Sequence, residues 1–310
     1  MDAVRFIEEK KEWIRRTVGE DKAVVATSGG VDSMTTAVLG HKALGEKLSV
    51  VFLDDGLMRK KEPEQVKKTL ASLGIKLKIY DVKDKFFSAL KGKTDPEEKR
   101  KAFRETFYTT FAEISKELGA KYLLQGTIAA DVIETRKGVK TQHNVLEQIG
   151  ISPLEKYGFV VLEPLKDLFK PQVREIAKAL GLPNEVVNRR PFPGPGLAIR
   201  VIGEVTPERV EIVREATAVV EEETKEIDCF QAFAILLNDK ATGVTKKGRK
   251  YGDIIVVRVV QSKDAMEAQA VELPWKVLQR IEKKIRERLP SVTHVLYDLT
   301  GKPPATIEFE

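Results

Sequence analysis

The 310-residue sequence contains a single cysteine, Cys229. One thiol excludes an internal disulfide bond, and we therefore expect a reducing, cytoplasmic environment. The sequence also lacks any apolar run close to the ~20 residues that span a bilayer, which argues against a membrane protein. Residues 1–16 (MDAVRFIEEKKEWIRR) are typical of an amphipathic helix rather than a signal peptide, because they contain neither an apolar core segment nor a cleavage site.

The sequence also lacks a stretch of one-signed charge. The net charge is +6, but the basic residues alternate with acidic ones, as in EEKKEW and KKEPEQVKK. A nucleic-acid footprint requires clustered cations, so we predict no nucleic-acid partner. Charged residues make up 32% of the sequence, and we interpret them as a solvated surface of the kind that heat-adapted proteins carry.

The first half of the chain alternates short apolar strands with helical segments. Apolar strands alternating with helices predict an α/β fold with a doubly wound, mostly parallel sheet that is covered on both faces. Ligands of such sheets bind beyond the carboxyl ends of the strands. The predicted strands are Lys22–Thr27, Leu48–Leu53, Leu77–Val82, Lys121–Gln125 and Phe159–Leu162.

Residues 190–197 (RPFPGPGL) interrupt this pattern with three prolines and two glycines. Such a segment is neither helix nor central strand, so we place a boundary here between domains 1–190 and 191–310. The second domain is predicted to be smaller, of the α+β class and partly antiparallel. Its predicted elements are a strand at 198–203, a helix at 207–225, strands at 231–237 and 253–262 joined by a hairpin over Gly243–Gly252, a helix at 274–289 and a strand at 293–299.

A glycine-containing loop, Ser28-Gly29-Gly30-Val31-Asp32-Ser33, follows the first predicted strand and opens a helix. It matches neither the Walker pattern nor Gly-x-Gly-x-x-Gly. Backbone N–H groups at a helix N-terminus attract a phosphate, and glycines let it approach closely. Ser33 adds a hydroxyl group, and Asp32 adds a carboxylate that can reach a magnesium ion. The alternative is an ordinary glycine-rich turn between a strand and a helix.

This loop resembles the signature of the ATP-pyrophosphatase family, whose members adenylate a carbonyl oxygen and release pyrophosphate. GMP synthetase, NAD synthetase, argininosuccinate synthetase and several tRNA-modifying enzymes belong to that family, and the loop alone does not choose among them. Further motifs are similar to those of GMP synthetase and occur in the same order. They are Asp54–Arg59, Gln125–Thr127 with Asp131–Glu134, His143–Val145, Glu163–Lys166, Pro191–Leu197 and Lys302–Glu308.

The resemblance implies an adenine nucleotide alpha hydrolase-like domain followed by a dimerisation domain that binds xanthosine monophosphate (XMP). It implies adenylation of the XMP O2 oxygen by ATP with Mg²⁺, followed by displacement of AMP by ammonia to give GMP. The glutamine amidotransferase domain of single-chain members has no counterpart in this sequence. We therefore expect the synthetase subunit of the two-subunit form, a homodimer that receives ammonia from a separate glutamine amidotransferase subunit.

The resemblance also implies XMP contacts at matching positions, the other roles follow from where the residues stand in the sequence, and for some residues a non-functional alternative stays open. Arg59 could be a solvated side chain, Asp131 a surface carboxylate, residues 136–148 a connector rather than a lid, and the tail a frayed terminus. Against fraying, residues 306–310 alternate like a paired strand. The expected roles are catalysis for Asp32, Lys140 and Lys166; ATP binding for Ser28, Gly29, Gly30, Val31, Asp32, Ser33, Gln125, Gly126 and Thr127; metal binding for Asp32 and Asp131; XMP binding for Arg59, Gln231, Lys302 and Glu308; and a candidate phosphate contact for Lys170.

Cys229 is the one residue that could suggest a glutaminase nucleophile. No surrounding turn or partner histidine supports that role, so we interpret it as a buried small hydrophobic residue. Two other functions remain as alternatives. One is another ATP-pyrophosphatase such as NAD synthetase, and the other is a nucleotide-binding module without turnover.

Overall fold

The computed structural model describes residues 2–136, 152–246, 248–263 and 265–310. The chain divides into two compact units. Unit 1 consists of Met1–Asp54, Lys61–Val82 and Arg104–Arg189, and unit 2 of Asp55–Lys60, Lys83–Phe103 and Arg190–Glu310. Two short pieces of the first half thus belong to unit 2, which the strand and helix pattern did not indicate. The functions assigned above to domains 1–190 and 191–310 stay predictions.

Unit 1 is built on a five-stranded parallel sheet in the order β3-β2-β1-β4-β5. The prediction of a parallel α/β domain is confirmed, and each strand begins and ends within two residues of its predicted bounds. β1 is central, and its Ala23, Val24 and Val25 are fully buried. The strands are β1 (Lys22–Ala26), β2 (Leu48–Asp54), β3 (Leu77–Asp81), β4 (Ala120–Leu124) and β5 (Val160–Leu162).

Helices connect and cover these strands. α1, α2 and α8 pack against one another, and α2 is buried along most of its length. The Asp2 carboxylate caps α1 by accepting the N–H groups of Val4 and Arg5. The helices wholly within unit 1 are α1 (Ala3–Val18), α2 (Val31–Leu44), α3 (Glu62–Ser72), α6 (Ala129–Arg136), α7 (Pro153–Tyr157), α8 (Lys170–Ala179) and α9 (Asn184–Val187).

The strand order reverses at β1. β2 pairs with one edge of β1 and β4 with the other, and all three strands are parallel. The loops that follow β1 and β4 therefore leave the sheet side by side at its carboxyl edge. In open α/β sheets this reversal point is where ligands bind, and the loop 28–33 lies at it.

Unit 2 contains a second sheet around the long hairpin of β6 (Gln231–Thr245) and β7 (Gly248–Gln261), which is antiparallel as predicted. β8 (Gln269–Ala270) adds an antiparallel pair to β7, whereas β9 (Val292–Tyr297) pairs with β7 in parallel. Phe233, Ile235 and Val256 form part of the core. The remaining helices are α4 (Lys83–Leu90), α5 (Pro96–Leu118, which the division between the units cuts after Phe103), α10 (Pro207–Glu223) and α11 (Trp275–Arg288).

The strand predicted at 198–203 is wrong. Gly196–Arg200 is a short 3-10 helix, and Val201 forms only an isolated bridge to Leu236. The reason is the backbone at Gly196, which has φ of +60° and packs so closely on Leu57 that a Cβ atom would overlap the Leu57 carbonyl. The Leu197 N–H then donates to that same carbonyl at 2.8 Å rather than to a strand.

The hairpin predicted over Gly243–Gly252 is present but its turn is shorter than expected, because β6 and β7 continue through both glycines. Both glycines lie in strands where a Cβ atom would come within 2.8 Å and 2.6 Å of Thr293 Cγ2 on β9. These glycines therefore allow close packing of neighbouring strands rather than a turn. The turn itself follows Thr245 and includes Gly248, whose φ is +112°.

The strand expected at 306–310 is absent from the described residues, although the tail is not frayed. The buried guanidinium of Arg258 donates from Nε to the Ile307 carbonyl at 2.8 Å and from Nη2 to the Thr306 carbonyl at 2.7 Å. These contacts satisfy carbonyls that a strand ladder would otherwise use. Separately, within the described residues we find no helix that is long and apolar enough to cross a bilayer.

Candidate active site

The loop Ser28–Ser33 connects β1 to α2 in unit 1. Ser33 Oγ accepts the Ser28 N–H and donates to the Gly30 carbonyl, each at 3.1 Å. The Gly29 N–H donates to Thr27 Oγ1 at 3.4 Å. Gly30 is the N-cap of α2 and provides no side-chain cap. The N–H groups of the first turn, which in any helix have no intrahelical acceptor, therefore also lack a side-chain acceptor from the cap residue, an arrangement that binds anions.

Gly126, which follows β4, packs directly on this first turn. A Cβ atom at Gly126 would lie 3.0 Å from the carbonyl carbon of Asp32 and 3.0 Å from the backbone nitrogen of Ser33. Real Cβ atoms rarely come that close to backbone atoms. The absence of a side chain at Gly126 thus brings the loop after β4 against the loop after β1, as the strand order predicts.

Asp32 is half-buried at the start of α2, and charges of both signs lie near its carboxylate. Its Oδ2 accepts a hydrogen bond from Lys170 Nζ at 2.5 Å. Burial is the largest influence on the Asp32 carboxyl and raises its pKa above the usual value; Lys170 opposes that shift, and the nearby Asp131 carboxylate adds to it. The structure therefore selects Lys170, on α8, as the cation next to the predicted catalytic carboxylate.

A polar network lines the ends of β4 and β5. Gln125 Nε2 donates to Thr127 Oγ1 at 3.1 Å, and Thr127 Oγ1 donates to Glu163 Oε1 at 2.7 Å. Asp131 Oδ2 accepts the Ile128 N–H at 2.9 Å and so caps the start of α6. The three residues predicted to line the adenosine site, Gln125, Gly126 and Thr127, thus lie together at the carboxyl edge of the sheet.

The structure says less about the other two predicted catalytic cations, Lys166 and Lys140. Lys166 is exposed, and its backbone N–H closes a turn on the Glu163 carbonyl at 3.3 Å. Lys140 lies outside the described residues, as does most of the predicted lid at 136–148.

The residues around Asp32 fit a magnesium ion. Asp32 Oδ1 is buried and has no hydrogen-bond partner among the described residues, so a hard oxygen ligand is present without a donor to satisfy it. Within the described part of the chain, no group of three or more His, Cys, Asp or Glu side chains could hold a metal ion by itself. Magnesium in nucleotide sites typically uses one or two carboxylates plus substrate phosphates, so a single available carboxylate oxygen is compatible.

Two of the predicted XMP-binding residues meet in unit 2. Arg59 Nη2 donates to the Pro191 carbonyl at 3.3 Å, and Gln231 Nε2 donates to the same carbonyl at 3.3 Å. The Arg59 guanidinium also pairs with Glu221 at 2.8 Å and lies 4.4 Å from the ring centroid of Phe192. Arg59 is therefore not a solvated side chain. Gln231 Oε1 is buried and lacks a hydrogen-bond partner among the described residues.

The two predicted tail residues contact the protein. Glu308 forms an ion pair with Arg200 through two hydrogen bonds of 2.9 Å and 2.8 Å. Lys302 Nζ donates to the Ala265 carbonyl at 2.7 Å. Arg200 was not predicted. It is buried, and its guanidinium contacts the rings of Phe192 and Phe233, at 4.9 Å and 4.0 Å from their centroids.

Cys229 is half-buried rather than fully buried as expected. Burial raises the pKa of its thiol, so the sulfur stays protonated near neutral pH. A protonated thiol is a poor nucleophile, which agrees with a packing role.

The fold and the loop define a PP-loop protein: residues 3–184 match the PP-loop domain family, and residues 218–309 match the GMP synthase C terminal domain family. The chain is 55% identical over 313 aligned residues to one subunit of the glutamine-hydrolysing GMP synthase of Pyrococcus horikoshii, covering 100% of both chains. It is 53% identical to the corresponding subunit of Methanopyrus kandleri and 51% identical to that of Methanocaldococcus jannaschii, covering 100% of this chain and 99% of each relative. The chain belongs to this family of GMP synthase subunits.

Proposed function

We propose that this chain is the synthetase subunit of a GMP synthase and converts XMP, ATP and ammonia into GMP, AMP and pyrophosphate. The observation that carries this proposal is the loop Ser28–Ser33, with the unpartnered Asp32 Oδ1 at its end, in a chain that matches GMP synthase relatives over its full length. The loop accounts for the bond that is cleaved, and the family membership accounts for the acceptor.

In the first step, the XMP O2 oxygen attacks the α-phosphorus of ATP, and the bond from that phosphorus to the pyrophosphate oxygen breaks. The N–H groups at the start of α2 stabilise the negative charge of the departing pyrophosphate. Lys170, 2.5 Å from Asp32 in this structure, supplies a cation beside the same loop. Gly126 keeps the two loops in contact, so the adenosine and pyrophosphate halves of ATP are positioned together.

In the second step, ammonia attacks C2 of the adenylyl-XMP intermediate, and AMP leaves with the electron pair of the C2–O2 bond. One proton of the former ammonia is lost to solvent, so GMP forms as the neutral amine. No protein nucleophile is needed, because adenylation has already converted a poor oxygen leaving group into a good one. The protonated thiol of Cys229 agrees with this scheme.

Asp32 is the residue that we assign to magnesium, with Asp131 as a second candidate beside it. When bound, the ion neutralises phosphate charge and orients the pyrophosphate for departure. Asp32 Oδ1 is the oxygen available for it.

For XMP we assign Arg59, Gln231, Lys302 and Glu308, all in unit 2. Gln231 Oε1 supports this assignment most directly, since a buried acceptor without a partner is costly unless a ligand satisfies it. Lys302 and Glu308 are engaged by protein groups, so we expect XMP to exchange with, or add to, those contacts.

We infer that ammonia is supplied by a separate glutamine amidotransferase subunit, since the relatives are named as one subunit of a glutamine-hydrolysing enzyme. We also infer a cytoplasmic homodimer in which unit 2 forms the interface. The large apolar side chains that unit 2 exposes, among them Trp275, Leu296 and Leu299, support this inference. Sedimentation of the purified chain would test the dimer.

The adenylation step can be tested without ammonia by exchange of labelled pyrophosphate into ATP. We expect exchange only when XMP and Mg²⁺ are both present. Exchange that requires deamido-NAD instead of XMP would identify an NAD synthetase, and ATP binding without any exchange would identify a non-catalytic nucleotide-binding module.

A further inference from the structure

An ion pair between the buried Glu62 and the partly exposed Arg189 lies next to the loop Ser28–Ser33. Arg189 Nη1 and Nη2 donate to the two carboxylate oxygens of Glu62 at 2.5 Å and 2.9 Å. Arg189 Nη1 also donates to the Gly29 carbonyl at 3.3 Å. The Glu62 side chain is 1% exposed and packs so closely on Gly29 that a Cβ atom there would overlap its carboxylate. All three residues belong to unit 1.

The backbone conformation before Glu62 indicates that the fold fixes the position of the Glu62 side chain. Lys61, the N-cap of α3, has φ of +58°, in the left-handed region that non-glycine residues rarely adopt. This turn places Glu62 as the first residue of α3, with its carboxylate against the loop. Backbone strain of this kind persists where the surrounding structure imposes it, commonly near functional sites.

Stability alone does not account for such a pair. Removing a carboxylate and a guanidinium from water costs about as much as their attraction returns, so a buried ion pair is weak evidence for stability and is often replaceable by apolar groups. Its geometric effect on the loop is more specific. Because the peptide bond is planar and trans, the Gly29 carbonyl and the Gly30 N–H point in opposite directions. Holding the carbonyl on the Arg189 side therefore aims the Gly30 N–H away from Arg189.

We propose that Glu62 and Arg189 are a positioning pair that sets the phosphate-binding conformation of the loop Ser28–Ser33 before ATP arrives. Glu62 orients the guanidinium through two hydrogen bonds, and Arg189 fixes the Gly29–Gly30 peptide plane. Neither residue needs to touch the nucleotide. The proposal rests on the proposed function, since it assigns pyrophosphate to this loop.

The test compares two ligands that share the active site but differ in their use of the loop. Magnesium pyrophosphate and AMP are titrated separately into the full-length chain and into the Arg189→Met, Arg189→Lys and Glu62→Gln variants. We expect Arg189→Met to raise the Kd for pyrophosphate roughly tenfold, the usual cost of one charge-assisted hydrogen bond, and to leave the Kd for AMP unchanged. Glu62→Gln should act in the same direction. Arg189→Lys should recover only part of the affinity, because an ammonium cannot make both contacts.

Arg15, on α1, provides a matched control, because it contacts the far end of α2, the helix that follows the loop Ser28–Ser33. It donates to the Ala43 carbonyl at 2.9 Å and to the Lys42 carbonyl at 3.3 Å near the C-terminus of α2. Arg15→Met removes a guanidinium that binds backbone carbonyls of α2, and we expect it to lower thermal stability without changing the Kd for pyrophosphate. In kinetic assays with ammonium, Arg189→Met should raise the KM for ATP and not the KM for XMP.

Three outcomes would overturn the positioning pair. They are an unchanged Kd for pyrophosphate in Arg189→Met, an equal loss of pyrophosphate and AMP affinity, and an equal effect of Arg15→Met. If Arg189→Met does not fold, Arg189→Lys and Glu62→Gln decide by the same criteria. A wild-type chain that does not bind pyrophosphate would refute the proposed function itself, whereas normal wild-type binding with unaffected variants would refute only the positioning pair.

Discussion

Arg200 and Glu308 lie 108 positions apart in the chain, and their side chains form a doubly hydrogen-bonded ion pair inside unit 2. The Arg200 side chain is 2% exposed and that of Glu308 is 16% exposed. The C-terminal tail is therefore held by a buried charge pair, and the rings of Phe192 and Phe233 add cation–π contacts to Arg200. This pairing connects the predicted XMP residue Glu308 to the turn that follows Pro191.

Replacing Glu308 should destabilise the protein strongly. Glu308→Ala leaves the Arg200 guanidinium buried without its partner, which typically costs about 3–5 kcal/mol. Urea unfolding at neutral pH would measure this loss. Glu282→Ala is the control, because Glu282 pairs with Arg286 on an exposed face of α11 and such pairs contribute at most about 1 kcal/mol. Similar losses in the two variants would contradict the buried-pair description.

The ion pairs between α10 and α11 should make stability depend on acid pH. Hydrogen bonds from Lys284 lower the pKa values of Glu222 and Glu223 below the ordinary 4.5, with further contributions from Arg288 and Arg280 respectively. A lowered folded-state pKa means that these carboxylates stabilise the fold above pH 4.5 and lose that contribution as the pH falls through the folded-state value.

Urea titrations at neutral pH and at about pH 3, with and without added salt, would check this dependence. The double variant Glu222→Gln, Glu223→Gln should be less stable than the wild type at neutral pH and should lose less on acidification. Glu287→Gln is the control, since Glu287 lies 3.9 Å from Lys283 on an exposed face. If the free energy of unfolding of the double variant depended on pH as it does in the wild type, the ion pairs between α10 and α11 would not be the cause of the acid dependence.

Gly126 should not tolerate a side chain. The Cβ atom of Gly126→Ala would push on the backbone of Asp32 and Ser33, both 3.0 Å away, and displace the start of α2. Misplacement by a fraction of an ångström to one ångström lowers turnover by about 10–100-fold. Steady-state kinetics with ammonium would measure kcat and the KM for ATP.

Gly119→Ala is the matched control for Gly126→Ala. Gly119 has φ of +64° and open space around its Cα, so alanine there should cost about 1 kcal/mol of stability without changing the kinetics. Normal turnover in Gly126→Ala would show that the close contact is not required.

The sequence predicts unit 1 well because its signals are local. Apolar strands such as Lys22–Ala26 are short and followed by turn residues, and the loop 28–33 marks the start of α2 by its own composition. Parallel pairing follows from the alternation of strands and helices, and the position of the site follows from the carboxyl ends of the strands.

The parts that the sequence does not predict depend on contacts between distant residues. Arg200 stands in an apolar run that favours a strand, and only Glu308 and two aromatic rings explain its burial. The tail satisfies its carbonyls on Arg258, which no local pattern signals. Glu62 and Arg189 are likewise far apart in sequence, so no local pattern indicates their pairing.

Asp32→Asn should abolish most of the adenylation. The amide keeps the shape of the side chain but removes the negative charge that we assign to magnesium, a loss of several kcal/mol in the transition state. A decrease in kcat of at least about 100-fold is expected. XMP-dependent release of AMP is the readout, and nearly normal release by Asp32→Asn would remove Asp32 from the mechanism.

The most direct test of the proposed function uses the purified chain with XMP, ATP and Mg²⁺, and compares ammonium with glutamine as the nitrogen source. With ammonium, we predict that GMP, AMP and pyrophosphate form in equal amounts. With glutamine alone, we predict no GMP until a glutamine amidotransferase subunit is added. Failure to form GMP from ammonium, or formation of GMP from glutamine by the chain alone, would contradict the account.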